Sequence, residues 1–166
     1  LKHRAQHKKS KSKENVMSLD QEVEALRKVP FFANIDPARL KLMAFASERL
    51  TFKPGQMLCK QGDVGDSAYI ILEGDAEVFF NGGEKRVIAR LGVNDIVGEI
   101  AILCDVPRTA NVEAGAKGAV ALKLTKELFL RMAHEFPDMA LEVMRVLAHR
   151  MEGMIKAMRD VQGAKQ

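Results

Sequence analysis

The chain has 166 residues, 47% hydrophobic and 29% charged, with one Tyr and no Trp. That suits a single domain with its own core, and it is too apolar for a disordered chain. No stretch approaches the roughly 20 apolar residues of a membrane span, and Cys59 and Cys104 form neither a CxxC nor a disulfide framework. We therefore expect a reducing, cytoplasmic setting.

The net charge of +4 hides two parts. Residues 1–16 carry Lys2, Arg4, Lys8, Lys9, Lys11 and Lys13 against Glu14, a net of +5. The remaining residues hold 20 basic and 21 acidic side chains, a net of −1. The basic stretch has no apolar period and reads as a disordered, solvated tail. Its charge would also suit nucleic acid or an anionic membrane surface.

Residues 17–46 read as two helices. Ser18 and Gln21 form a capping box for LDQEVEALRKV, which Pro30 ends, and Asp36-Pro37 opens PARLKLMAFAS. Residues 48–124 are a run of short strands: RLTF, QMLCK, SAYIILEG, DAEVFFN, KRVIARLG, TANVEA and AVALKL. Turn signals separate them at Gly55, Gly62, Gly65, Gly74-Asp75, Asn81-Gly82-Gly83, Gly92 and Gly118. This pattern predicts an α+β, mostly β fold, a jelly-roll-like double-stranded β-helix barrel flanked by helices. The alternation is imperfect, so some strands should be buried on both faces.

Residues 125–161 return to helix. Thr125 caps KELFLRMAHEF, and Pro137 begins a long last helix. There Met144, Met151 and Met158 fall seven apart, as do Leu147, Met154 and Val161. Such a stripe suits either a face packed on its own domain or a homodimer seam, and both stay open.

One interruption of the strands carries chemistry. Glu99 to Leu103 reads as a short helix opened by Gly98 and followed by Pro107-Arg108. A helix start offers free N–H groups to an anion, and Gly98 allows close backbone approach. Arg108 can fork onto phosphate oxygens, and Glu99 can accept from sugar hydroxyls. Together they fit a small nucleotide with one negative charge. A structural Glu99–Arg108 ion pair beside a bend is the competing reading. Cys104 reads as a partly buried turn residue.

The strings Gly98-Glu99-Ile100-Ala101-Ile102-Leu103 and Pro107-Arg108-Thr109-Ala110-Asn111-Val112 resemble the phosphate-binding cassette (98–110) of the cyclic nucleotide-binding domain family. VPFFANIDPARLKLMA, Lys53-Pro54-Gly55 and GDVGDSAYIILEGDAEV extend the resemblance from about Leu26 to the end of the last helix. It implies a cAMP or cGMP ligand and no metal. Glu99 would take the ribose 2′-hydroxyl and Arg108 the cyclic phosphate, with the amides around Ala101 and Ala110 completing the cradle. Thr109 would reach the phosphate or the 2-amino group of a syn guanine, so it leaves the base open. Val78 and Ala89 would line base and ribose, and Met151, Met154 or Ile155 would close over the base. Val97, Ile100 and Pro107 complete the candidate binding set.

Other functions fit less well. Residues 17–133 contain no histidine, so a cupin-type metal enzyme has no imidazole ligand in its barrel. No Ser-His or Cys-His arrangement and no Walker GK[ST] loop occurs in the strand region. The chain stops at Gln166, directly after the long helix, so no DNA-binding helix-turn-helix is expected. The expectation is a non-catalytic sensor, either standing alone or as the regulatory domain of a larger channel or transcription regulator. A barrel that docks proteins without nucleotide is the alternative, and the output partner is not named by the sequence.

Overall fold

The computed structural model describes residues 18–163. The basic stretch 1–16 and Met17 lie outside the described residues. Local rules set the first elements. Helix α1 (Leu19–Arg27) starts where the Ser18 hydroxyl accepts from the Gln21 amide while the Gln21 side chain accepts from the Ser18 amide. After it Pro30 begins a single 3₁₀ turn, Pro30–Phe32, rather than simply ending a helix. Proline suits that place because a first-turn N–H has no helical partner to lose. Helix α2 (Pro37–Ala46) is capped by the Asp36 carboxylate, which accepts from the Ala38 amide at 2.9 Å.

Six strands follow: β1 (Glu48–Phe52), β2 (Met57–Cys59), β3 (Ser67–Phe79), β4 (Val87–Leu91), β5 (Ile96–Val97) and β6 (Asn111–Thr125). Helix α3 (Glu99–Cys104) sits between β5 and β6, and α4 (Lys126–Glu135) and α5 (Pro137–Gly163) end the described chain. All strand pairings are antiparallel. The order is β1-β6-β3-β4, with β2 also on β6 and β5 also on β3, so the sheet does not close on itself. The fold is α+β, as the sequence pattern implies.

Two expected turns are bends within strands. SAYIILEG and DAEVFFN form one strand, β3, and TANVEA and AVALKL form another, β6. Gly74 and Gly118 both have φ near +75°, and they meet across the ladder where the register shifts. A Cβ on Gly74 would run into the Gly118 carbonyl oxygen. The glycines therefore let two long strands bend together without breaking their pairing.

From Ser67 to Leu72 every residue of β3 is buried. Ala68, Ile70 and Leu72 face a core shared with Leu26, Phe32, Leu40 and Met43 of the N-terminal segment and Phe129, Met139 and Val143 of α4 and α5. Tyr69 and Ile71 face a second core with Phe52, Leu91, Val112, Ala119 and Ala121. The helices from both ends of the chain thus share one layer over the outer face of the sheet.

Replacing Gly74 by Ala should lower stability by at least about 2 kcal/mol, since it adds left-handed strain and a backbone clash. Gly92, whose added Cβ would meet nothing within 4 Å, should accept Ala within about 0.5 kcal/mol. Urea unfolding of the two variants compares them directly.

Candidate functional site

Helix α3 begins at Gly98, with φ of +91°. Close backbone approach is required here, but by a side chain of the protein: a Cβ would strike Arg108 Nη1 and the Ser67 carbonyl. Arg108 is 5% exposed and lies under the helix start. Its Nη1 donates to the Ser67 carbonyl at 2.6 Å and its Nη2 to the Ser67 hydroxyl at 3.0 Å. The Asp66 carboxylate stands 3.5 Å from Nη2, and the Tyr69 ring lies 5.8 Å from the guanidinium carbon. The backbone of Arg108 is bracketed as well, donating to the Asp63 carbonyl and accepting from the Gly62 amide.

Glu99, in the first turn of α3, is 1% exposed. Its Oε1 accepts from Arg150 Nη1 at 2.6 Å, while Oε2 meets no donor among the described residues. Arg150 comes from α5, 51 positions along, and its Nη2 donates to the Ile96 carbonyl at 2.6 Å. Burial pushes the Glu99 carboxyl above its ordinary range, against the opposing pull of Arg150. The competing ion pair is not formed: Glu99 pairs with Arg150, and Arg108 with Asp66 and Ser67.

These groups border a cavity of about 250 Å³. Of the expected set, Val78, Ala89, Val97, Gly98, Glu99, Ile100, Ala101, Arg108, Thr109 and Ala110 line it. Pro107 does not; it borders a separate groove with Val64, Asp66 and Val106. Arg108 turns inward there and its neighbour outward. Met154 reaches the cavity from α5, whereas Met151 and Ile155 are exposed elsewhere on that helix.

The cavity also holds residues that sequence reasoning missed: Cys59, Phe80, Ile88, Leu91, Val112 and Arg150. Arg150 is legible in part, because it precedes Met154 by one helical turn and shares its face. Burial raises the Cys59 thiol, so it serves as an apolar wall group. Cys104 is exposed in the last turn of α3 rather than partly buried in a turn. Among the described residues no group of three or more His, Cys, Asp or Glu could hold a metal ion. No described helix is long and apolar enough to cross a membrane.

Residues 49–136 match the family profile described as "Cyclic nucleotide-binding domain". The chain belongs to that family. It is 36% identical over 115 residues to a cAMP-dependent protein kinase regulatory subunit of Blastocladiella emersonii, covering 68% of this chain and 28% of that protein. Among solved structures, the catabolite activator protein of Thermus thermophilus superposes with a TM-score of 0.70 at 25% identity, covering 80% of this chain and 63% of that one. The regulatory subunit of a cAMP-independent protein kinase A from Trypanosoma brucei gives 0.67 at 26% identity, covering 76% and 47%. The chain thus spans under a third of the length of the curated kinase subunit.

The raised Glu99 carboxyl has a consequence for stability. Between the ordinary value of 4.5 and its folded value, the folded chain binds more protons than the unfolded one. Its contribution to stability therefore falls as pH rises through that window. Relative to the parent, Glu99→Gln should gain stability as pH rises above 4.5 and level off once the folded carboxyl has ionised. Urea unfolding of both proteins across that pH range checks the sign.

Proposed function

We propose that this chain is a sensor module with no catalytic step of its own, binding cAMP or cGMP in the 250 Å³ cavity and relaying the event through α5. The observation that carries this reading is Glu99 Oε2, a buried carboxylate oxygen on the cavity wall with no donor among the described residues. Leaving such an oxygen dry is costly, and a ribose 2′-hydroxyl is a donor of the right kind. Arg108 supplies the cation for the cyclic phosphate, with the amides around Ala101 and Ala110. Val78, Ala89, Val97, Ile100, Phe80 and Ile88 offer apolar walls to sugar and base, and Met154 covers them from the helix. Thr109, on the cavity wall, suits either nucleotide.

The helix relay follows from a shared acceptor. Arg150 and the ligand hydroxyl address the two oxygens of one carboxylate, so nucleotide binding and the seat of α5 are linked. The ligand moves the helix only as far as its affinity differs between the two seats. Because the chain spans only part of its curated relatives, we further propose that it serves as the regulatory module of a longer protein.

Calorimetric titration with each nucleotide tests the reading. Micromolar or tighter binding is expected with at least one, and Arg108→Ala should weaken it by at least about 1.5–3 kcal/mol, the range for charged hydrogen bonds. Thermal unfolding of the free variant separates lost binding from lost fold. No heat with either nucleotide, at several temperatures and with a competition assay agreeing, overturns the proposal.

Met144, Met151, Met154, Met158 and Val161 are each more than half exposed. That leaves the stripe of α5 through Met144, Met151 and Met158 uncovered, and we propose it as a homodimer seam. Sedimentation at tens of micromolar should show a dimer. A monomer with and without nucleotide sinks the idea.

A further inference from the structure

Three amides close a ring beside the cavity. Gln61 follows β2, Asn81 follows β3, and Asn111 is the first residue of β6. The Gln61 backbone N–H donates to Asn111 Oδ1 at 2.9 Å. Asn111 Nδ2 donates to Asn81 Oδ1 at 2.7 Å. The Asn81 backbone N–H then donates to Gln61 Oε1 at 2.8 Å. The chemistry fixes the orientation of both asparagine side chains. A backbone N–H only donates, so Asn111 must turn its oxygen to Gln61 and its NH₂ to Asn81, which must answer with oxygen. Each member gives and receives once, and at Asn111 both bonds fall on one amide, so each strengthens the other. Asn111 is 5% exposed, and a broken ring would leave its amide in a nearly dry site.

The position of the ring gives it a consequence. Asn111 directly follows Thr109 and Ala110, which line the cavity. Asn81 directly follows Phe80, which also lines it, on the β3–β4 hairpin with Ile88. Gln61 adjoins Gly62 and Asp63, the two residues that bracket the Arg108 backbone. The ladder itself reaches this edge only through the pair Phe79 and Asn111, at the last register position between β3 and β6.

We propose that Gln61, Asn81 and Asn111 are positioning residues that clasp the cassette exit to the β3–β4 hairpin, setting the spacing of the two cavity walls and so the affinity for nucleotide. The affinity readout rests on the nucleotide-binding reading above. The ring also makes a specific demand at its exposed member. The Asn81 side chain only accepts, so a carboxylate can replace it and a methyl cannot.

The experiment uses the whole chain and the variants Asn111→Ala, Asn81→Asp and Asn81→Ala. For each, affinity for cAMP and for cGMP is measured by calorimetry, with amide hydrogen exchange on the ligand-free protein. Asn111→Ala and Asn81→Ala should weaken binding by about tenfold, while Asn81→Asp, which keeps the acceptor, should stay within about twofold of the parent. Asn81→Ala, at an exposed position, breaks the same link and serves if Asn111→Ala does not fold. Equal effects of Asn81→Asp and Asn81→Ala, or none from any variant, overturn the clasp. If the parent binds neither nucleotide, the sensor reading fails separately, and exchange decides the clasp. Breaking the ring must then speed exchange both at 80–86 and at 108–110. Acceleration on one side alone overturns it.

Discussion

The ladder between β3 and β6 changes character half way along, and the other elements are arranged around that change. From Ser67 to Leu72, β3 is covered on one face by the helices and on the other by the inner core. Past Gly74 the residues of β3 are only partly covered, apart from Ala76, and the same ladder becomes a cavity wall at Val78 and Val112. The bend at Gly74 and Gly118 separates the two regimes. It needs two glycines because a Cβ on Gly74 would strike the Gly118 carbonyl and one on Gly118 would strike the Phe52 carbonyl of β1. One continuous pairing thus anchors the helical layer at one end and shapes the site at the other.

At the site, one buried carboxylate faces two kinds of donor. Burying Glu99 disfavours its charge, and Arg150 offsets that penalty only in part, as the raised carboxyl shows. Arg150 also ties α5 to the Ile96 carbonyl, just before the cassette. The long helix is therefore held at the cassette by charge and in the helical layer by the Met139, Val143 and Leu147 contacts. Breaking the charged contact would leave the packing contact intact.

Features that depend on near neighbours along the chain are legible in the sequence. The caps at Ser18, Asp36 and Thr125 each need a side chain within three residues, and each sits where the sequence pattern places it. The α3 start at Gly98 is equally local. Gly74 and Gly118 are recognisable as special positions, but positive φ serves a turn and a bend alike, and only the partner strand distinguishes them. β5 is two residues long, too short for any alternation to register. Arg150 and Asn111 escape sequence reasoning as functional partners because their contacts span 51 and 30–50 residues. Helical periodicity puts Arg150 on the face of Met154, but no local rule supplies an acidic partner that far away.

The orientation of α5 joins the two proposals made for that helix. Arg150 and Met154 sit one turn apart and face the cavity, while Met144, Met151 and Met158 lie exposed along the adjoining stripe. A rigid helix cannot turn one stripe without the other. Any nucleotide contact that reseats Arg150 must also change what the methionine stripe presents to a second copy, and a partner on that stripe must bias Arg150 in return. The linkage is bounded: inverting a 1:99 equilibrium needs about 5.5 kcal/mol of differential binding. A single hydroxyl on Glu99 supplies only a fraction of that. On the proposed relay, the phosphate contacts on Arg108 and the apolar cover from Met154 would therefore also have to differ between the two seats of the helix, and of these two residues Met154 is the one that α5 carries.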